Sequence, residues 1–215
     1  MTQTSRRAVL AGAGALVATA AGAQTAGPQT SGTQTPPAAP PPRPRVVIET
    51  ALGAITFELA ADKAPITCAN FLRYVDAKKF DGRGFYRALK VMASPPTGLI
   101  QAGADPNNRF PPIAHESTTQ TGLSNREGAV SMARSTPGSA TADFFICMGD
   151  LSSLDANPFN SGDNQGFAVF GHVTEGMDIA RTILSSPVSP TKGEDWGMKG
   201  QILDPEIKIT TIRRA

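Results

Sequence analysis

Short stretches in which apolar and polar residues alternate begin at Arg45 and predict β-strands separated by turns. In residues 55–59 three apolar positions alternate with Thr56 and Glu58, so one face of this strand is expected in the core and the other in solvent. A turn at Leu52-Gly53 joins it to the strand-like run 46–50, which predicts a hairpin. The other predicted strands are 84–87, 98–103, 129–133, 144–147, 167–173 and 205–213.

Two stretches have the spacing of amphipathic helices. The first follows Pro65, a residue suited to the first helical position, and the second follows Gly176. Their predicted inner faces are Cys68, Phe71, Leu72 and Val75 in the first, and Met177, Ala180, Ile183 and Leu184 in the second. Many short strands, two helices and no strand-helix-strand regularity favour a mainly β fold, a closed antiparallel barrel with helical lids.

One stretch, residues 132–147, combines a turn-rich polar loop with a strand that contains adjacent phenylalanines. Pro137 and Gly138 interrupt regular structure, and the apolar run from Phe144 to Cys147 follows. Successive side chains of a strand face opposite ways, so one of Phe144 and Phe145 is expected in the core and the other at a surface groove. The alternative is a hairpin with two core aromatics.

Composition and charge narrow the possible partners. Of 215 residues, 40% are hydrophobic and 18% are charged, which fits one globular domain plus a segment that is disordered or removed. The formal charge of +2 comes from Arg6 and Arg7, and the rest of the chain balances 18 basic against 18 acidic residues. Nucleic acid is therefore not an expected partner.

The N-terminal residues 1–23 have the pattern of an export signal. Arg6-Arg7 precedes an Ala- and Gly-rich apolar run at 8–23, which ends in Ala21-Gly22-Ala23. This pattern predicts a cleaved twin-arginine signal and a periplasmic protein, with a secreted or signal-anchored protein as alternatives. The run has 16 positions (23 − 8 + 1), short of the ~20 that cross a bilayer, so no stable membrane insertion is expected after cleavage. Residues 24–45, rich in Pro, Gln and Thr, predict a disordered linker.

The cysteines and histidines give no pattern typical of a metal or cofactor site. Cys68 lies in a predicted helix and Cys147 in a predicted strand, which favours two separate apolar thiols over a disulfide. Together with His115 and His172 they lack the spacing of a zinc site. A Ser-His-Asp hydrolase that uses either histidine is a weak alternative, because the chain has no G-x-S-x-G motif.

Several motifs, in order along 45–213, resemble those of the cyclophilins, which are peptidyl-prolyl cis-trans isomerases. They are Ala-Pro-x-Thr-x-x-Asn-Phe at 64–71, Phe80-Asp81-Gly82, Phe85-Tyr86-Arg87, Met132-Ala133, Asp143-Phe144-Phe145-Ile146 and Val169-Phe170-Gly171. The resemblance implies an isomerase domain at 46–215, built as a closed eight-stranded antiparallel barrel capped by two α-helices, with a groove on its outer face. It also implies a monomer without a cofactor that acts on proline-containing segments of unfolded or partly folded proteins.

The resemblance also assigns roles to individual residues. Arg87 corresponds to the catalytic arginine and Gln101 to the groove glutamine. The implied substrate-binding residues are Phe85, Tyr86, Leu99, Ala133, Arg134, Asp143, Phe145, Leu154 and Phe167. Among them Leu99, Phe145 and Leu154 would form the proline pocket. Tyr86, Asp143 and Phe167 depart from the residues usual in the family.

These departures leave a second function open, a cyclophilin-like module that binds peptides or acts as a chaperone with weak or no catalysis. Asp143 is expected to select peptides by charge, because a carboxylate at the rim of the groove attracts basic residues and repels acidic ones. Residues 89–97 form an insertion relative to the family. We expect it to be a surface loop rather than an extra wall of the groove.

Overall fold

The computed structural model describes residues 43–159 and 162–215, which form a closed barrel of eight antiparallel strands. The strands are β1 (Arg45–Thr50), β2 (Gly53–Leu59), β3 (Gly84–Ala93), β4 (Pro96–Ala102), β5 (Ala129–Met132), β6 (Phe144–Met148), β7 (Val169–Glu175) and β8 (Ile202–Arg214). Around the barrel they follow the order β1-β2-β7-β5-β6-β4-β3-β8. The predicted mainly β fold is confirmed.

In the part of the chain that the structure describes, three α-helices accompany the barrel: α1 (Pro65–Asp76), α2 (Thr118–Thr121) and α3 (Met177–Ser185). Both predicted helices are present, and their inner faces are buried except for the partly buried Leu72 and Met177. The one-turn helix α2 was not predicted, although Ser117 caps it by accepting a hydrogen bond from the Gln120 N–H. Within the described residues, no helix combines the length and apolar character needed to span a bilayer.

The barrel closes where its first and last strands meet. β1 pairs with β8, and beyond that ladder the Ala215 N–H donates a hydrogen bond of 3.0 Å to the Arg45 carbonyl. Arg45 thus begins the barrel, one residue before the predicted start of the domain. The predicted signal at 1–23 and residues 24–42 of the predicted linker lie outside the described residues.

Phenylalanine rings fill the barrel interior, which we call the inner core. Phe71 of α1 lies 5.2–5.5 Å, centroid to centroid, from the rings of Phe57, Phe80, Phe144 and Phe170. Aromatic contacts of this kind contribute roughly 0.5–1.5 kcal/mol each beyond their buried area. The helix is therefore held by its ring contacts with three strands and with the turn that follows it.

The N-terminus of α1 is capped by a side chain distant in sequence. Glu116, which is 3% exposed, accepts hydrogen bonds from the N–H groups of Ile66 (3.1 Å) and Thr67 (2.8 Å) and from the Thr67 hydroxyl (2.6 Å). The N-cap residue Ala64 makes no side-chain bond of its own. A carboxylate here satisfies otherwise unpaired N–H groups and interacts favourably with the helix dipole.

We expect Glu116→Gln to lower the free energy of unfolding by about 2 kcal/mol, because charge-assisted hydrogen bonds at a buried site are weakened. Urea unfolding followed by circular dichroism measures the change. The control is Glu127→Gln, which alters an exposed ion pair with Arg181 and should change stability by less than about 0.5 kcal/mol. Equal stabilities for the two variants would contradict this role for Glu116.

The insertion at 89–97 is a hairpin rather than the expected loop. β3 and β4 continue to Ala93 and Pro96, so the two arms satisfy each other's backbone hydrogen bonds. Gly98 permits their close approach, since a Cβ atom there would lie 1.8 Å from the Leu89 carbonyl oxygen. At the base of this hairpin, Leu89 pairs with Leu99.

Candidate functional site

A second apolar cluster lies on the outer side of the barrel wall. Phe144 is fully buried in the inner core, whereas its neighbour Phe145 packs in this outer cluster with Leu99 and Val169. The Phe145 ring meets the Phe167 ring edge to face, with centroids 5.5 Å apart and an interplanar angle of 82°. The prediction that the adjacent phenylalanines face opposite ways is confirmed.

A groove of about 220 Å³ opens over this cluster. Its lining residues are Arg87, Leu89, Leu99, Gln101, Ala133, Arg134, Phe145, Leu154, Phe167 and Met198. Eight of them are predicted site residues, and they come from six separate parts of the chain. Leu89 and Met198 were missed, because the insertion was expected to be a loop and nothing in the sequence around Met198 indicates that the C-terminal segment reaches the groove.

Arg87 is held at the groove by two glutamine side chains. Its Nη1 donates to Gln101 Oε1 at 2.9 Å, while Nε and Nη2 donate to Gln201 Oε1 at 2.9 and 2.7 Å. Arg87 and Gln101 are direct partners across the β3–β4 ladder. Burial lowers the pKa of the Arg87 guanidinium, but both acceptors are neutral, so its positive charge is not compensated by these contacts.

Tyr86 supports Gln101 from outside the groove. The Gln101 Nε2 donates to the Tyr86 hydroxyl oxygen at 2.5 Å, and burial raises the pKa of the Tyr86 phenol above its usual range. The Tyr86 side chain lines an adjoining cavity rather than the groove, so the structure does not bring it together with the other predicted groove residues, and its substrate contact stays a prediction. Its contact with Gln101 orients the amide so that Oε1 faces Arg87.

The adjoining cavity, of about 320 Å³, also takes the side chain of Asp143. Its lining residues are Arg83, Gly84, Tyr86, Gly103, Ala104, Pro106, Arg109, Asp143, Trp196, Ile202 and Glu206. Asp143 forms an ion pair with Arg109 at 2.8 Å and its side chain is 19% exposed. Burial raises the pKa of the Asp143 carboxyl, and the Arg109 charge opposes that shift. The expected free carboxylate at the groove rim is therefore wrong, because Asp143 is paired and faces the adjoining cavity.

Phe85 is the third predicted site residue that lies outside the groove. It is fully buried in the inner core, with its ring centroid 6.2 Å from that of Phe144. Phe85 and Arg87 would share one face of a regular strand. A register shift between them in the ladders with β4 and β8 turns Phe85 inward and Arg87 outward.

Arg134 shapes one wall of the groove with its side chain. The side chain is 4% exposed, and its guanidinium lies 5.1 Å from the centre of the Phe167 ring. It donates to Asp163 at 2.7 and 2.9 Å and to the Gly166 carbonyl. The hydrogen bonds from Arg134 lower the pKa of the Asp163 carboxyl to about 2. The stacked guanidinium therefore fixes Phe167 over Phe145.

A buried polar network beneath the groove holds its Leu154 side. Asn125 is fully buried; it donates to Asp155 Oδ1 at 2.7 Å and accepts a 2.7 Å bond from the Ser131 hydroxyl. The Phe167 N–H donates to the Leu154 carbonyl at 2.9 Å. Sequence reasoning missed this network, which ties the 151–155 segment to β5 and keeps two pocket side chains together.

The cysteines and histidines do not contribute to the groove. Cys68 and Cys147 are free, and burial raises the pKa of both thiols to about 12. A ring nitrogen of His115 contacts the Gln165 carbonyl at 2.9 Å, while the His172 ring lies against Gly128. In residues 43–159 and 162–215, no cluster of three or more His, Cys, Asp or Glu side chains could hold a metal ion.

Comparisons with known proteins give matches over the whole barrel. A family model described as "Cyclophilin type peptidyl-prolyl cis-trans isomerase/CLD" matches residues 45–213. A peptidyl-prolyl cis-trans isomerase of Acinetobacter baylyi is 35% identical over 174 residues, which cover 78% of this chain and 84% of the relative. Another of Streptomyces antibioticus is 34% identical over 154 residues, covering 69% and 87%.

The fold has a close match among solved structures. A cyclophilin-type isomerase of Cryptosporidium parvum superposes with a TM-score of 0.64, over 80% of this chain and 98% of that chain. The two are 23% identical, so this match concerns the fold alone.

Proposed function

Because the chain belongs to the family of cyclophilin-type peptidyl-prolyl cis-trans isomerases, we propose that its groove catalyses rotation about X-Pro bonds in exported proteins. The observation that carries this proposal is a charged guanidinium, held only by neutral acceptors, beside an apolar pocket of suitable size for a proline ring. No cofactor takes part in the proposed reaction. The enzyme works as a monomer on proline-containing segments of unfolded or partly folded chains.

The reaction requires only that a twisted amide be favoured over a planar one. Resonance in the peptide bond creates a barrier of ~18–20 kcal/mol, and rotation breaks no covalent bond. The proline ring binds against Leu99, Phe145, Leu154 and Phe167, whose apolar surfaces contact it through dispersion and the hydrophobic effect. The ring is then immobilised while the preceding residue and its carbonyl rotate.

Arg87 stabilises the transition state by donating a hydrogen bond to the prolyl nitrogen. As the amide twists, the nitrogen lone pair leaves resonance and becomes a hydrogen-bond acceptor. A guanidinium N–H aimed at this nitrogen binds the twisted amide more strongly than the planar one, which is the condition for catalysis. Each tenfold gain in rate requires ~1.4 kcal/mol, an amount that one charge-assisted hydrogen bond supplies.

Exchange spectroscopy by NMR on a prolyl tetrapeptide tests the proposed site directly, because it measures the rate of interconversion at equilibrium. We expect catalytic amounts of the protein to accelerate exchange between the cis and trans signals. Binding that broadens the signals without accelerating exchange would favour the peptide-binding module instead. Absence of both effects would contradict the assignment of the groove.

The proposed action on exported proteins depends on the N-terminal segment. It is supported by Arg6-Arg7, by the apolar run at 8–23 and by the small residues Ala21-Gly22-Ala23 at its end. These features are typical of twin-arginine signals, which direct export to the bacterial periplasm. The Pro-rich residues that follow would separate the cleavage site from the barrel.

We expect the double variant Arg6→Lys/Arg7→Lys to block export, because the pair is recognised as arginines and lysine retains only their charge. Residues 1–45 are fused to a folded reporter, and the reporter is measured in the periplasm and the cytoplasm of a bacterial host. The matched control, Arg43→Lys/Arg45→Lys in the same fusion, should be exported like the parent. Equal export of both double variants, or a parent fusion that stays in the cytoplasm, would contradict a twin-arginine signal.

A further inference from the structure

We propose that Gln201 is a positioning residue for the isomerase reaction, which fixes the Arg87 guanidinium in the orientation that the transition state requires. The inference rests on the proposed function of the groove and adds a residue from the far end of the chain. Gln201 lies 114 positions after Arg87, and the family resemblance gives it no role.

The contact leaves a defined set of donors for the substrate. A guanidinium has five N–H groups. Gln201 Oε1 accepts from Nε–H and from one N–H of Nη2, and Gln101 Oε1 accepts from one N–H of Nη1. One N–H on each terminal nitrogen therefore remains free. Because the two glutamines bind different edges, the plane of the guanidinium and the direction of its free N–H groups are fixed together.

The backbone on both sides of Gln201 fixes its position. Its N–H donates to the Met198 carbonyl at 3.0 Å, and its carbonyl accepts from the Ala88 N–H at 2.8 Å. The next residue, Ile202, pairs with Arg87 in the β3–β8 ladder. The side chain thus starts from a fixed backbone directly beside the arginine that it binds.

The neutral amide of Gln201 also leaves the positive charge of the Arg87 guanidinium uncompensated, and this charge is what the proposed catalysis uses. A carboxylate at the same place would accept the same hydrogen bonds, but it would form an ion pair and compensate the guanidinium in a partly buried site. Gln201→Glu therefore changes the charge beside Arg87 and keeps the hydrogen-bond geometry. Gln201→Leu removes the hydrogen-bond acceptor and keeps the side-chain volume. We expect both variants to lower kcat, since one weakens the field of the guanidinium and the other releases its orientation.

A double-mutant cycle in the NMR exchange measurement tests the proposal. We expect Gln201→Leu to lower kcat about tenfold in the parent, a loss typical of one hydrogen bond to a charged group, with little change in KM. In the Arg87→Ala background the same substitution should have no further effect, because Gln201 acts only through Arg87. The control Gln120→Leu alters an exposed glutamine on α2 and should match the parent.

The outcomes separate this inference from the proposed function itself. A parent protein that does not accelerate exchange contradicts the proposed function. An active parent in which Gln201→Leu has no effect, or the same effect with and without Arg87, overturns the positioning role alone. If Gln201→Leu does not fold, Gln201→Asn decides, because it stays neutral and polar but withdraws the acceptor from Arg87 by one methylene: activity equal to the parent overturns the positioning role, and a loss of several-fold that disappears in the Arg87→Ala background supports it.

Discussion

Replacing Arg87 with alanine is expected to lower kcat/KM for a prolyl peptide at least about thirtyfold, which corresponds to about 2 kcal/mol of transition-state stabilisation. The side chain lies at the groove and not in the inner core, so its removal should leave the barrel folded. Arg87→Lys should recover little activity. A lysine ammonium cannot bind Gln101 and Gln201 along two edges and still present N–H groups in a fixed plane.

Two controls test whether a loss of activity in Arg87→Ala comes from unfolding or from the removal of any nearby positive charge. Thermal unfolding of Arg87→Ala should stay close to that of the parent. Arg83→Ala removes an arginine from the same strand region, but one that lines the adjoining cavity and lies 3.6 Å from Asp105. It should keep parental activity. An Arg87→Ala variant with unchanged kcat/KM would show that the groove does not act through this guanidinium.

The second large effect is expected for Phe145→Ala, which removes the floor of the groove. Loss of a buried phenylalanine costs about 3 kcal/mol of stability, and here it also deletes surface that the proline ring would contact. Peptide affinity and kcat/KM should therefore both fall. Isothermal titration at a temperature where the variant remains folded separates lost binding from unfolding.

The neighbouring residue supplies the matched control for this variant. Phe144→Leu disturbs the inner core from the opposite face of the same strand. It should lower stability while leaving peptide affinity nearly unchanged. If Phe145→Ala bound peptide as tightly as Phe144→Leu, the outer face of β6 would not be the binding surface.

The parts of the site that sequence could predict depend on local patterns. Alternation of apolar and polar residues along β2 predicts a strand with two different faces. In the apolar run of β6 the opposite roles of Phe144 and Phe145 follow from their adjacency in a strand. The inner faces of α1 and α3 follow from helical spacing in the same way. Arg87 and Gln101 required the family resemblance, because an isolated arginine or glutamine has no periodic pattern.

The parts that sequence could not predict depend on pairing between distant residues. Gln201 reaches Arg87 only because β8 returns beside β3. The ion pair with Arg109 compensates the charge of Asp143, and it joins residues of two different loops. A register shift, which leaves no mark in residue type, turns Phe85 away from the groove. Each case requires the course of the backbone in three dimensions.

The meeting of β1 and β8 at the barrel seam makes the protein suitable for circular permutation. Ala215 and Arg45 are joined by a backbone hydrogen bond, so a short Gly/Ser bridge could connect them, and new ends could be opened at the exposed tip of the 89–97 hairpin. In the order of strands around the barrel, β1 is diametrically opposite β6, which carries Phe145. A fusion partner or surface tether joined directly to Arg45 would therefore start on the strand opposite the one that carries Phe145.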